Sequence, residues 1–331
     1  MAEQKDKPIQ TFPILDQYAN YMQAVQERSA LTIKEYRYDL VLFFRFLKRD
    51  KGLVNASTPI EEISIQDIDE NILRQITTDD LFVFLIFLSR ERNASASNRA
   101  RKAATLKSFF KYLHTKRNII TTNPAYELGS PKIGKKLPKH LSLEESVHLL
   151  TTAEEKETAH KERDYCILTF FLNCGMRLSE LTGINLTSIH RNTLTVIGKG
   201  NKERTIYLND ACLAALEEWL AVRPHVGLKD PQALFVSRLG RRISNQTVQL
   251  LVKKWIFQSG LDPRVYSVHK LRHTAATLMY KYGQVDIRAL QSILGHASVA
   301  TTQIYTHIDD EALRKAANSN PLAQIKKGGE S

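Results

Sequence analysis

Thr193-Leu-Thr-Val-Ile-Gly-Lys-Gly-Asn-Lys-Glu-Arg-Thr-Ile-Tyr-Leu208 breaks an otherwise helical pattern, because apolar and polar residues alternate in it with period two. Successive side chains of an extended chain point to opposite faces, so Thr193 to Ile197 and Arg204 to Leu208 are predicted as two short strands. Gly198-Lys-Gly-Asn-Lys202 joins them as a glycine-rich hairpin turn and places Lys199 at the tip. The expected fold class is therefore mainly α with a small antiparallel β-sheet.

On the N-terminal side of the hairpin, Asp164 to Asn173 reads as an apolar helix. Gly175-Met-Arg177-Leu-Ser-Glu-Leu181 then puts Arg177 at the opening of the next helix, near free backbone amides. On the C-terminal side, Ser267 caps a helix in which His269 and Arg272, three residues apart, share a face. A helix from about Asp286 stops at Gly295 and leaves His296 in the connection; Ser298 caps the next helix, which carries Tyr305. His273 reads as helix packing or support for its neighbours, and His307 as structural. The tail beyond, with Leu313, Ala316, Ala317, Leu322 and Ile325, holds too few apolar residues for a core and needs a pocket on its own subunit or on an adjacent one.

The chain before residue 125 is helical throughout. Helices are predicted from about Gln17 to Glu27, from a Thr32/Glu35 capping box carrying Tyr36, Leu40, Phe43, Phe44 and Leu47, from Thr78 to Arg92, and from Ser97 to Thr115. In the last, Leu106, Phe109, Phe110 and Leu113 form the apolar face. Gly129 to Pro138 reads as an exposed basic linker, and Ser142 with Glu145 opens a second helical region. The expected division is an N-terminal helical domain over 1–125, a basic linker over 126–141, and a second domain with its tail over 142–331.

Charge is sorted along this plan. The formal net charge is +12 in 331 residues, which points to a polyanionic partner. Basic residues crowd the stretch from Arg99 to Lys139, where Glu127 is the only acid, and Arg99, Lys102, Lys107, Lys111, Lys135 and Lys136 are the candidate DNA contacts. The preceding stretch from Asp50 to Asp80 is acidic, as a face that avoids phosphates would be. Cys166, Cys174 and Cys212 are odd in number and lie in apolar helical contexts, which favours reduced core residues over a disulfide or metal site. The N-terminus lacks a signal-type apolar region, and Leu81 to Leu88 is too short to span a bilayer, so a soluble cytoplasmic protein without membrane insertion is expected.

The ordered set Arg177, Lys199, His269, Arg272, His296 and Tyr305 has the parts needed to break a phosphodiester without a metal or cofactor. A tyrosine hydroxyl is a weak nucleophile at neutral pH and needs a base or strong positive surroundings. Arg177 and Arg272 suit the two non-bridging phosphate oxygens, because a guanidinium offers paired, planar hydrogen bonds. Lys199 suits protonation of the departing sugar oxygen; His269 and His296 suit proton transfer and phosphate binding.

These motifs resemble those of the tyrosine recombinases of the integrase superfamily, and most of all the Xer-type recombinases. The resemblance rests on Gly-Met-Arg177-Leu-Ser-Glu-Leu, Val-Ile-Gly-Lys199-Gly-Asn-Lys-Glu-Arg, His269-Lys-Leu-Arg272-His and Leu-Gly-His296 followed by Thr-Thr-Gln-Ile-Tyr305-Thr-His, in family order, and runs from about Gln17 into the tail. It implies an N-terminal core-binding domain and a C-terminal catalytic domain closing on double-stranded DNA as a C-shaped clamp. It also implies a 3′-phosphotyrosyl intermediate, a Holliday junction, and four protomers on two paired sites, either identical or shared with a paralogue. Carried over residue by residue, Arg177, Lys199, His269, Arg272 and His296 are the activating set and Tyr305 the nucleophile. Val268 departs from the proline that often precedes the histidine of the His-x-x-Arg helix, and the acidic segment between Lys51 and Glu70 is longer than a compact Xer-type chain needs, so it reads as a surface insertion or a partner-specific contact. A role in chromosome or plasmid dimer resolution is expected, with a mobile-element or phage integrase as the alternative. A type IB topoisomerase or an idle DNA-binding relative is the weaker reading, since all six residues are present and a tail follows Tyr305.

Overall fold

The computed structural model of the protein describes residues 9–129, 139–198, 203–283 and 285–295. Two compact units, Met1–Lys135 and Lys136–Ser331, divide the chain.

The first unit is built from helices α1 (Pro13–Ala24), α2 (Ala30–Asp50), α3 (Glu70–Arg74), α4 (Thr78–Arg90) and α5 (Ala96–Thr115). Two helices begin earlier than the sequence pattern suggests. Pro13 stands in the first turn of α1, where its fixed φ suits a helix start and its missing N–H is no loss. In α2 the cap is Ser29, whose Oγ accepts from the Thr32 N–H at 3.2 Å, so Thr32 lies inside the first turn instead of opening the helix. The predicted faces are otherwise those that are buried: Leu40, Phe43, Phe44 and Leu47 of α2 meet Leu106, Phe109, Phe110 and Leu113 of α5 in one core. Rings dominate it. Phe43 meets Phe44 and Phe84 edge to face, with centroids 5.2 Å apart in each case, an arrangement that adds about 1 kcal/mol per pair beyond area burial.

The acidic segment after α2 belongs to this core and is not a surface insertion. Ile60, Ile63, Ile65 and Ile68 point into the core, while Asp67 and Glu61 on the outer side pair with Lys48 and Arg92. Arg45 Nε donates to the Ile63 carbonyl at 3.0 Å and Lys48 Nζ to that of Ser64 at 2.9 Å, so basic residues of α2 tie the segment down through its backbone. Leu128 is also fully buried in this unit, and Leu141 in the next, so both ends of the expected 126–141 linker are packed; residues 130–138 lie outside the described residues.

The second unit contains α6 (Leu143–Glu155), α7 (Lys161–Cys174), α8 (Leu178–Thr182), strands β1 (Ile189–His190), β2 (Thr193–Ile197) and β3 (Glu203–Tyr207), then α9 (Asp210–Val222), α10 (Asn245–Gln258), α11 (Val268–Gly283) and α12 (Ile287–Leu294). The Ser142/Glu145 capping box forms as read, with the Glu145 N–H donating to Ser142 Oγ and the Ser142 N–H to Glu145. Helix α7 is buried almost all round and packs against α6, α9 and α11. Its Cys166 and Cys174, with Cys212 of α9, are free buried thiols. The sheet runs β1-β2-β3, antiparallel, with Leu194 opposite Ile206 and Val196 opposite Arg204. Leu194, Val196 and Ile206 face the core while Ile197 and Tyr207 face out, as the alternation requires. Strand β1 spans two residues, too few for a period to register. Among the described residues no helix is long and apolar enough to cross a membrane.

If the acidic segment is a core element, Ile65→Ala should destabilise the protein by about 3 kcal/mol, as loss of a buried isoleucine does, while Glu62→Ala, at an exposed position, should change stability by less than about 0.5 kcal/mol. Urea unfolding of the two variants checks this; equal, small effects would return the segment to the surface.

Candidate active site

Helix α7 ends where Gly175 adopts φ 57°, a left-handed turn that favours glycine. A side chain there would also crowd Leu294, whose Cδ2 would lie 3.0 Å from the added carbon. The turn releases the chain into Met176, which is fully buried, and Arg177, which caps α8. Anchoring on both sides thus fixes where the Arg177 backbone sits.

Glu180, at the third position of α8, gathers three arginines around itself. Its carboxylate accepts from the Arg177 N–H at 2.6 Å and from Arg177 Nη1 at 2.7 Å. Arg204, on β3, donates Nη2 to Glu180 Oε2 at 2.9 Å and lies with Nε 3.4 Å from Oε1. Arg272, on α11, brings Nη1 to 3.8 Å from the same carboxylate. Three guanidiniums therefore surround one acid whose side chain is 0% exposed. Burial pushes the Glu180 carboxyl upward, but the hydrogen bonds from Arg204 and Arg177 outweigh it and hold the group below the usual glutamate value. It is ionised at neutral pH, and the cluster keeps two positive charges in excess of its one negative charge.

The same three arginines grip the end of α12. The Ile293 carbonyl accepts from Arg204 Nη1, the Leu294 carbonyl from Arg272 Nη2 at 2.5 Å, and the Gly295 carbonyl from Arg177 Nη2 at 2.8 Å. Carbonyls at a helix C-terminus lack intrahelical partners and carry the negative end of the helix dipole, so cations are the natural partners. Arg272 Nη1 also donates to the Gly175 carbonyl at 2.7 Å, which ties α11 to the end of α7. Gly295 has φ 61°, and a side chain there would sit 2.9 Å from Arg204 Cδ. The chain leaves this turn directly into His296.

His269 lies one turn before Arg272 on α11 and is open to solvent. Partial desolvation by its packed surroundings lowers its pKa below the ordinary 6.5, and the charges of Arg272 and Lys270 lower it further. Its Nε2 lies 3.2 Å from Nε2 of His273, with the rings edge to face, so one ring donates and the other accepts. His273 thus supports its neighbour, one of the two readings the sequence allows.

Of the six sequence candidates, Arg177 caps α8 while His269 and Arg272 lie on α11, with Arg177 and Arg272 on a common carboxylate. Lys199, His296 and Tyr305 lie outside the described residues, as do Lys135 and Lys136. Arg99, Lys107 and Lys111 lie on α5 with surface exposed. Lys102 does not: it is buried, with Nζ 2.5 Å from Asp39, which also takes Arg101 and Thr105. Its charge balances a buried carboxylate and is not offered to a phosphate, and the sequence reading of Lys102 as a DNA contact is corrected accordingly. Sequence reasoning misses Glu180 and Arg204, although both lie inside quoted motifs. A signal exists for Arg204, since alternation puts it on the inward face with Ile206, where a charge needs a buried partner.

Comparison with known proteins identifies the family. Residues 139–312 match the model of the phage integrase family, and residues 15–61 that of the phage integrase N-terminal SAM-like domain. The chain belongs to the phage integrase family. Tyrosine recombinase XerC of Caldanaerobacter subterraneus subsp. tengcongensis is 53% identical over 312 residues, covering 94% of this chain and 88% of the relative. XerC of Psychromonas ingrahamii is 35% identical, covering 95% of this chain and 98% of the relative. A crystal structure of the XerH site-specific recombinase bound to a difH substrate, in a pre-cleavage complex, matches with TM-score 0.64 at 25% identity and covers 92% of this chain and 84% of that one. This phage integrase family member is a site-specific tyrosine recombinase of the Xer type.

The depressed pKa of His269 sets the sign of a pH effect. The neutral ring persists well below neutrality and is lost only as pH falls through a value under 6.5. If the neutral His269 ring takes up a proton during cleavage, single-turnover DNA cleavage should stay level from about pH 8 to 7, then decline toward pH 5, and His269→Gln should remove that decline. A wild-type rate unchanged down to about pH 5 would show that His269 carries no proton in the rate-limiting step.

Proposed function

We propose that the protein cleaves and rejoins double-stranded DNA at a specific site through Tyr305. The phenolic oxygen attacks the scissile phosphorus, a tyrosyl ester forms on the 3′-phosphate, and the 5′-oxygen leaves with a proton from Lys199. Arg177 and Arg272 hold the non-bridging oxygens, His269 and His296 move or bind the proton and phosphate, and the free 5′-hydroxyl of a second duplex reverses the reaction. Repeated on the other strand pair, this yields and resolves a Holliday junction. No metal or cofactor enters the chemistry, because the cations are built in.

The observation that carries this reading is the convergence of Arg177 and Arg272, from α8 and α11, on Glu180 and on consecutive carbonyls immediately before His296. A cluster with net positive charge and planar donors next to the segment that leads to Tyr305 suits a phosphate in trigonal-bipyramidal geometry. The assembly is a tetramer on two paired sites, composed of one chain or shared with a paralogue, and the cell compartment is the cytoplasm. Similarity to XerC relatives over 94% and 95% of this chain favours chromosome or plasmid dimer resolution over a mobile-element role. In this reading residues 1–125 bind the core of the site, with Arg99, Lys107 and Lys111 of α5 against phosphates and Lys135 and Lys136 of the linker as further DNA contacts, and residues 142–331 catalyse.

The test is covalent trapping. Fragmented genomic DNA from the source organism, incubated with the full-length protein in excess chelator and then denatured and digested, should yield a Tyr305 peptide esterified to a 3′-phosphate. Sequencing of the attached DNA should return one recurrent site. Tyr305→Phe should bind DNA and trap none, since only the nucleophilic oxygen is removed. An adduct on another residue, or a strict magnesium requirement for trapping, would overturn the proposal.

A further inference from the structure

Arg204 holds a place in this cluster that its absence from the six-residue set does not suggest. It lies on β3 opposite Val196, directly after the hairpin segment, and its side chain is only 12% exposed. Nη2 and Nε face the Glu180 carboxylate; Nη1 donates to the Ile293 carbonyl; and the Cδ and Nε atoms form the floor under Gly295. One guanidinium thus joins the sheet, α8 and the C-terminus of α12.

We infer that Arg204 is a positioning residue for strand cleavage, acting through Glu180 and the α12 turn without touching DNA. Glu180 has two oxygens. Each takes one bond from Arg177 and faces Arg204, so Arg204 offsets part of the attraction that the carboxylate exerts on Arg177. Without Arg204, a fully buried carboxylate would be answered mainly by Arg177 and Arg272, whose donors would be drawn toward it and away from a substrate anion. The Ile293 carbonyl would lose its cation at the same time, and with it the register of the turn that delivers Gly295 and the chain beyond. A lysine cannot replace this, because a single ammonium lacks the fork that spans a carboxylate and a carbonyl lying on different elements.

This inference rests on the reading of Arg177 as a phosphate ligand, and the experiment separates the two. Full-length wild type, Arg204→Met, Arg204→Lys and Arg177→Ala are compared in single-turnover cleavage of a nicked duplex carrying the site recovered by trapping. Each is also tested on the same duplex with a neutral methylphosphonate at the scissile position. Misplacement of a substrate-holding group remote from the mutated atom costs about 10²-fold in rate, so Arg204→Met should lose about that much on phosphate while half-site affinity stays within about twofold. The deficit should shrink on methylphosphonate, where there is less charge to hold, in parallel with Arg177→Ala. Arg204→Lys keeps a cation and a long stem and so remains folded if Met does not; it should show the same pattern at about tenfold. Wild-type rates in either Arg204 variant would overturn the inference. So would an equal deficit on both substrates, because a general structural defect does not depend on the charge of the phosphate. If Arg177→Ala itself cleaves normally, the failure lies with the Arg177 reading; if Arg177→Ala is crippled and the Arg204 variants are not, it lies with Arg204.

Discussion

The second unit depends on one buried carboxylate. Glu180 is enclosed without solvent contact, and burying a lone charge in protein costs several kcal/mol, more than a typical domain can leave uncompensated. It is tolerated because Arg177, Arg204 and Arg272 arrive from α8, β3 and α11 to answer it. Those three elements share little sequence proximity, so the carboxylate is also what forces them to meet. In this sense the acid acts as a template on which the cations are arranged, and the arrangement survives because removing any member leaves the others unbalanced.

The charge count connects this constraint to chemistry. Had the cluster been neutral, with one acid per base, its donors would be satisfied internally. Three guanidiniums on one carboxylate leave excess positive charge, and part of their remaining hydrogen-bonding capacity is directed at the last carbonyls of α12. Helix packing supports the same point from the apolar side: Leu290 and Leu294 of α12 pack with Ala276 of α11, so the turn is held by a small hydrophobic contact below and by arginines above. The position of Gly295 follows from both, and its left-handed φ explains why this residue, next to the Arg204 stem, is glycine.

Much of this is legible in the sequence where local chemistry speaks for itself. The bounds of β2 follow from alternation, the Ser142/Glu145 box from its spacing, and the end of α12 from Gly295. Arg177, His269 and Arg272 are found because helix starts and three-residue spacing place them. The failures share a different cause. Lys102 reads as a phosphate contact because its partner, Asp39, is distant in sequence and only the packing of α2 on α5 brings them together. The acidic segment reads as an insertion because it is longer than a compact Xer-type chain needs and its four isoleucines, unevenly spaced, fit neither helical nor strand period. Glu180 sits within a quoted motif yet gains no role from sequence, since a carboxylate beside an arginine at helical spacing ordinarily signals a solvated pair. Burial, which decides the matter, is a property of the folded chain.

Glu180 and Arg204 are inferred to act as one unit that shapes the arginine cluster. A double-mutant cycle with Glu180→Gln and Arg204→Met, read as the single-turnover rate of covalent adduct formation at saturating protein, measures it directly. If the two residues form a unit, the double variant should be no slower than the slower single variant, giving a coupling of about 1–3 kcal/mol. Multiplicative losses, with coupling below about 0.5 kcal/mol, would mean that the two side chains act independently and that the cluster is not organised around the carboxylate.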